Sequence, residues 1–232
     1  ETGEWFMLDY EQPPETTGSE ALQATGGPDD FGYTWDDSVA MNWIDATDGT
    51  DTGLSGSSSG QAAGPISLPF AFKYYENSYT SLYIAASGYL AFADADYWRW
   101  QDEIPSPEEP NSVVAPYWTP LSLATSGTAN RVYYESGGTT PNRYFAVEWY
   151  QVRNDDESYT FEVVLYENGD IVFQYQDMNY TGGYSCGAAG IEDARGLDGL
   201  KYIDFCDQAE SNRAVRFYRP APSARVSVHP AD

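Results

Sequence analysis

Histidine is nearly absent from this sequence, since the only one, His229, lies in a polar C-terminal tail. A Ser-His-Asp or Cys-His active site needs an imidazole beside its nucleophile, and many catalytic metal sites use imidazole ligands. The folded part of the chain can build neither kind of site. We therefore expect the chain itself to be non-catalytic.

Positive charge is also scarce, because 11 lysines and arginines face 36 aspartates and glutamates, which gives a net charge of −25. Such a negative field repels nucleic acid and anionic membranes, so neither is expected as a partner. No apolar run approaches the roughly 20 residues of a transmembrane helix, so membrane insertion is not expected either. A solvated acidic surface is the simplest interpretation, while calcium or a basic partner would also suit this charge.

Cysteine is limited to Cys186 and Cys206. An even count in a chain of extracellular character predicts one disulfide between them. This bond would close a loop of about 20 residues and stabilise the fold by roughly 3 kcal/mol in the chain-entropy model. Two buried free thiols are the alternative, whereas a zinc site lacks the further ligands that it would need.

Amphipathic helical patterns are missing, whereas short runs rich in aromatic and β-branched residues recur with turn signals between them. This pattern predicts an all-β fold, a single antiparallel β-sandwich that is jelly-roll-like. We expect the sandwich over residues 29–219, a lead-in or linker over 1–28, and a C-terminal linker over 220–232. Strands are predicted at residues 66–72, 82–86, 89–93, 113–118, 131–134, 144–152, 159–166, 171–175, 188–192, 202–205 and 214–218.

The clearest hairpin joins residues 159–166 to residues 171–175. Asn168-Gly169 lies between the two runs, and this pair is typical of a type I′ turn. The odd-numbered residues of the first run are all apolar, which predicts a core-facing side. The even-numbered residues fit a partly solvated face; they are Thr160, Glu162, Val164 and Tyr166. Four tryptophans in strand-like contexts are expected in the core: Trp35, Trp43, Trp118 and Trp149.

Four segments together carry a family resemblance: residues 30–38 with 42–45 (DFGYTWDDS and NWID), residues 68–90, residues 111–118 (NSVVAPYW), and residues 142–150 continuing into 167–171. They resemble a β-rich module that recurs in large secreted and cell-surface proteins of bacteria, including some extracellular subtilisin-like proteases. The second segment is similar to the core of the animal nidogen-type (NIDO) extracellular domain. The resemblance covers roughly residues 29–219.

This resemblance implies a secreted or cell-surface, non-catalytic binding or adhesion module that belongs to a larger chain. It names no ligand, and glycan or extracellular protein is the expected target, reached through loops at one end of the sandwich. A structural spacer that binds nothing and accompanies a secreted protease is the alternative. A glycosidase is a further alternative, since Glu148 and Glu162 lie on predicted strands and such enzymes need two facing carboxyl groups.

The most site-like segment is Asp94-Ala95-Asp96-Tyr97-Trp98-Arg99-Trp100. Tyr97, Trp98 and Trp100 could stack on sugar rings while Asp94 and Asp96 accept hydrogen bonds from hydroxyl groups. The alternative is that a tryptophan of this segment folds back onto the core as a lid, because docked apolar groups are commoner than exposed ones.

A structural calcium is the ion that suits this composition, because calcium takes six to eight oxygen ligands. Asp45, Asp48 and Asp51 lie on one Gly-bearing loop and offer three carboxylates. Their spacing is not that of an EF-hand. A solvated turn is the alternative.

Overall fold

A computed structural model describes residues 24–57, 60–93, 103–180, 186–204 and 207–220. Within these ranges the chain forms 16 strands and one short 3-10 helix, Ala46–Asp48. The strands are β1 Thr25–Gly26, β2 Thr34–Asp36, β3 Thr50–Asp51, β4 Gly56–Ser57, β5 Ala62–Tyr74, β6 Asn77–Ala85, β7 Tyr89–Ala91, β8 Val113–Trp118, β9 Ser122–Leu123, β10 Arg131–Gly137, β11 Tyr144–Asn154, β12 Glu157–Tyr166, β13 Ile171–Asn179, β14 Ala188–Glu192, β15 Gly199–Ile203 and β16 Arg213–Tyr218. Among the described residues, no helix has the length and apolar character needed to span a bilayer.

The strands form two antiparallel sheets, which confirms the predicted all-β class. Sheet A has the order β1-β2-β16-β13-β12-β11-β10-β3, with β9 beside β11 and β4 beside β9. Sheet B has the order β15-β14-β8-β7-β6-β5. Consecutive strands are therefore neighbours over β5–β8 and again over β10–β13. This meander differs from the two Greek keys of the jelly roll that the sequence predicted.

The main core lies between the inner faces of the two sheets, and large aromatic side chains join them. Trp149 on sheet A is 0% exposed. Its ring stacks on Phe161 at 5.2 Å, and its Nε1 donates to the carbonyl oxygen of Ala85 on sheet B at 3.1 Å. Tyr175 on sheet A likewise donates its hydroxyl to the carbonyl oxygen of Pro116 on sheet B. Each aromatic thus fills the core while its polar group keeps a partner.

The predicted hairpin is present, because β12 pairs with β13 and Leu165 lies opposite Ile171. The odd-numbered residues of β12 are buried in the core, as predicted. The even-numbered face is different, since Glu162 and Val164 are also buried. A partly solvated face was the wrong prediction here, because another part of the chain lies over it.

The turn of this hairpin also differs from the type I′ prediction. Gly169 donates its N–H to the carbonyl oxygen of Tyr166, and the Tyr166 N–H donates to the carbonyl oxygen of Asp170. Gly169 alone has a positive φ in the turn, +94°, whereas a type I′ turn needs positive φ at Asn168 as well. The glycine therefore serves the bulged form of hairpin connection, in which it follows the turn rather than completing it.

Gly88 lies in the β6–β7 turn with φ of +87°, and a Cβ at this position would lie 2.0 Å from the carbonyl oxygen of Tyr117. Gly127 has nearly the same φ, +86°, but has open space around it. We expect Gly88→Ala to lower the free energy of unfolding by about 2 kcal/mol more than Gly127→Ala, because only Gly88→Ala adds a backbone clash. Urea unfolding of both variants measures the difference, and equal losses would contradict this close approach.

Candidate functional site

The predicted recognition residues, Asp94, Asp96, Tyr97, Trp98 and Trp100, lie outside the described residues. The residues on either side of them are described. Phe92 stacks on Tyr79 with 4.5 Å between ring centroids, and Ile104 is buried. The strands on either side of this segment meet at one end of sheet B, because β7 ends there and its antiparallel neighbour β8 begins there, while Ile104 packs on the outer face of that sheet.

Several loops share this end of the sandwich, which we call the loop end. They are residues 28–33, 75–76, 103–112, 167–170 and 193–198. Antiparallel pairing places the sheet B loops together, and two hydrogen bonds join loops across the end. The Tyr75 hydroxyl donates to Asp29 Oδ2 at 3.0 Å, and the Asp30 N–H donates to Asp198 Oδ1 at 3.0 Å.

Asp193 organises one of these loops from a position that is 1% exposed. Its Oδ1 accepts the backbone N–H groups of Arg195, Leu197 and Asp198 at 3.2, 2.9 and 3.2 Å. Burial alone would raise the pKa of Asp193, but these donors and the Arg195 side chain outweigh it and lower the pKa. The carboxylate thus fixes a loop whose tip presents Leu197, a side chain that is 64% exposed.

Residues 103–112, which we call the cover, lie over the outer face of sheet B. The Ser106 N–H donates to Glu192 Oε2 at 2.9 Å, and the Ser112 N–H donates to the carbonyl oxygen of Asp193 at 3.0 Å. Ile104 packs into an outer apolar cluster that includes Tyr89 and Trp118. The cover is therefore attached to the sheet by both apolar and polar contacts.

A second covered surface lies on sheet A, beneath residues 42–46, which we call the strap. Three outward-facing side chains on adjacent strands receive its backbone N–H groups. The Asn42 N–H donates to Gln174 Oε1 at 2.5 Å, the Ile44 N–H to Glu162 Oε1 at 3.1 Å, and the Ala46 N–H to Glu148 Oε2 at 2.9 Å. Alternate residues of an extended chain point the same way, so one row of side chains can hold every second amide.

The strap buries two glutamates, and this burial raises their pKa values. Glu148 and Glu162 lie directly opposite each other on β11 and β12 and are 1% and 0% exposed. Burial raises the pKa of Glu148 to about 7 and that of Glu162 to about 8, and the Glu148 charge adds to the shift at Glu162. Because both carboxyl groups are closed off from solvent, a sugar ring has no access to them in this arrangement.

Neither covered surface was predicted from the sequence. The available signal was a pair of glutamates at outward positions of two adjacent strands, which usually marks a wet face. Trp43 was expected in the core but lies in the strap and is half-buried, whereas Trp118 and Trp149 are buried as predicted.

The three carboxylates of the predicted calcium loop have different surroundings. Asp45 accepts the Thr47 N–H at 3.0 Å and so caps the short 3-10 helix. Asp51 pairs with Arg131 at 3.4 Å, and Asp48 is exposed. Among the residues that the structure describes, no group of three or more metal-binding side chains is placed to hold an ion. The described residues thus give no support to a calcium at Asp45, Asp48 and Asp51, which stays a prediction.

The disulfide also stays a prediction, because Cys186 is described and Cys206 lies outside the described residues. We expect a non-reduced digest to contain a peptide in which Cys186 is joined to Cys206. Mass spectrometry with and without reductant makes the measurement. Labelling of both residues by a thiol reagent before reduction would contradict the bond.

Comparison with known proteins gives one family. A family model described as NIDO related matches residues 32–219, a range that runs from the loop before β2 to the end of β16. Neither the curated proteins nor the solved structures contain a match to this chain. The matched range includes sheet B, sheet A except for β1, the strap, the cover and most of the loop end.

Proposed function

This chain belongs to the NIDO-related family, and we propose on this basis that it is a non-catalytic extracellular module that binds glycan or protein through the loop end. The observation that carries the proposal is the meeting of five loops at one end of the sandwich, three of them joined by the hydrogen bonds from Tyr75 to Asp29 and from Asp30 to Asp198. The strap lies instead on the outer face of sheet A, and residues 103–112 extend from the loop end onto the outer face of sheet B as the cover. Loops held by a rigid scaffold commonly carry binding functions in β-sandwiches.

The composition of residues 94–102 makes glycan the first target to test. Tyr97, Trp98 and Trp100 supply flat apolar rings for stacking on sugars, and Asp94 and Asp96 supply hydroxyl acceptors. Their carboxylates would repel an anionic sugar, so a neutral glycan fits best. We further propose that the module works beside neighbouring domains of a larger secreted or cell-surface bacterial protein.

A broad glycan array, run with calcium and with a chelator, tests the glycan proposal. We expect wild-type binding to a neutral glycan and a loss of about tenfold or more in Trp98→Ala and Trp100→Ala, because stacking contacts dominate such sites. Trp43→Ala is the matched control, since it removes the same side chain from the strap, away from the loop end.

Three results of the array would contradict a part of this proposal. Binding that survives both loop substitutions would contradict the assignment to this segment. A blank array under both conditions would contradict glycan recognition and leave protein as the proposed target. Binding that is equal with chelator would argue against a calcium at Asp45, Asp48 and Asp51 that supports the site.

A further inference from the structure

Glu192 ends β14 and points to the outer face of sheet B, beneath the cover. It is 0% exposed. Ile191, its neighbour in β14, faces the main core between the sheets, so alternation along the strand places Glu192 on the opposite side. A Cβ on Gly190 would lie 3.1 Å from the Ile104 side chain, which confirms that this side meets the cover.

The two carboxyl oxygens of Glu192 have different surroundings. Oε2 accepts the Ser106 N–H at 2.9 Å. Oε1 is buried and has no hydrogen-bond partner among the described residues. A buried carboxylate with an unsatisfied oxygen is costly, because desolvation penalises the charged form far more than the neutral acid.

No described cation compensates this carboxyl group. The two charged side chains that act on it most strongly, Asp193 and Glu109, are both acids. On the neighbouring strand β15, the Lys201 ammonium pairs with Asp204 at 2.8 Å. In the adjacent loop, the Arg195 guanidinium pairs with Asp193 at 3.1 Å.

The remaining polar neighbours of Glu192 contact its backbone rather than its side chain. The Tyr74 hydroxyl donates to the carbonyl oxygen of Val113 at 2.6 Å and lies 3.1 Å from that of Glu192, while the Glu192 N–H donates to this hydroxyl at 3.1 Å. The Ser106 amide is therefore the single described donor to the carboxyl group. Burial, followed by the repulsion from Asp193 and Glu109, raises the pKa of Glu192 to about 8.

We propose that Glu192 is a buried proton-binding site that keeps the cover closed on sheet B, and that loss of this proton releases the cover. The ionised carboxylate needs water, and water reaches it only when residues 103–112 lift from the sheet. Release withdraws Ile104 from the outer cluster and uncovers the apolar surface around Tyr89 and Trp118. It also loosens the loop at residues 193–198, because Ser112 in the cover donates to Asp193.

The direction of the pH effect follows from the protonation state. The cover is closed when Glu192 is neutral, at acidic and near-neutral pH, and opens as pH rises through the range in which Glu192 ionises. The device is independent of what the loop end binds, so a failed glycan array leaves it standing.

Hydrogen exchange of the cover at pH 6.5 and pH 9, corrected for the intrinsic effect of pH on exchange, tests this device. In the wild type we expect protection of the cover, including the Ser106 amide, to fall about tenfold or more at pH 9. Glu192→Gln keeps an oxygen acceptor without a titrating proton, so its cover should stay equally protected at both pH values. Glu162→Gln, the matched control on sheet A, should behave as the wild type in the cover.

Two results would overturn the proposal: a wild-type cover whose corrected protection does not change, or a Glu192→Gln variant that loses protection as the wild type does. If Glu192→Gln does not fold, a carboxyl ¹³C titration of wild-type Glu192 decides. A midpoint above about pH 6 supports the proton-binding site, and a midpoint below it overturns the proposal, since an unperturbed glutamate titrates near 4.3.

Discussion

Trp149→Ala is expected to lower the free energy of unfolding by about 3–5 kcal/mol, the usual range for removing a large aromatic from a close-packed core. The substitution creates a cavity beside Phe161 and leaves the Ala85 carbonyl oxygen without its cross-sheet donor. Both effects weaken the contact between the two sheets. Urea unfolding followed by circular dichroism measures the loss.

Trp43→Ala is the matched control for this prediction. It removes the same side chain from the half-buried strap and should reduce stability by about 1 kcal/mol or less, since little core volume is lost. If Trp149→Ala proved as stable as Trp43→Ala, the two sheets would not be held together as described.

Stability is expected to fall by at least about 3 kcal/mol between pH 5 and pH 9. Three buried carboxyl groups have raised pKa values in the folded state, about 7 for Glu148 and about 8 for Glu162 and Glu192, against 4.5 for the free side chain. The folded chain therefore binds more protons than the unfolded chain in this range. The resulting stabilisation is fully present below about pH 4.5 and is lost as pH rises through 7 and 8.

At low pH the free energy of unfolding changes in the opposite direction and falls as the pH is lowered. Hydrogen bonds lower the pKa of Asp36, and the N–H and Arg195 donors lower that of Asp193, so their stabilising contributions disappear when pH falls below the range of a free aspartate. Together the two groups of acids place the maximum of stability near pH 5. Urea midpoints at pH 3, 5, 7 and 9 measure the profile.

A double variant, Glu162→Gln with Glu192→Gln, separates these acids from the general repulsion of a chain with a net charge of −25. It should flatten the fall between pH 5 and pH 9 while keeping most of the negative charge. A wild-type stability that rises from pH 5 to pH 9 would contradict the burial of these glutamates.

Local patterns predicted the strands well because runs of apolar and aromatic residues mark the segments that the two sheets bury. Val113–Trp118 and Ala188–Glu192 have the predicted bounds, and the alternation in β12 correctly named its core side. The type of the β12–β13 turn was predicted wrongly, since Asn-Gly is compatible with more than one hairpin connection.

The covered faces could not be predicted for a different reason. Whether Glu162 faces water depends on Ile44, 118 positions earlier in the chain, and no short-range periodicity reports such a contact. The same holds for Glu192 and Ser106, which are 86 positions apart. The strap and the cover have no strand period of their own, so a sequence pattern assigns them to loops.

The claim that this module binds through the loop end is tested most directly by amide chemical-shift mapping with the glycan that binds best on the array. The amide resonances of the loops that contain Asp29, Asp198 and Gly169 should shift together when this glycan is titrated, since the three loops share that end. Shifts confined to the opposite end, at the Ser87-Gly88 and Asp155-Asp156 turns, would contradict the account.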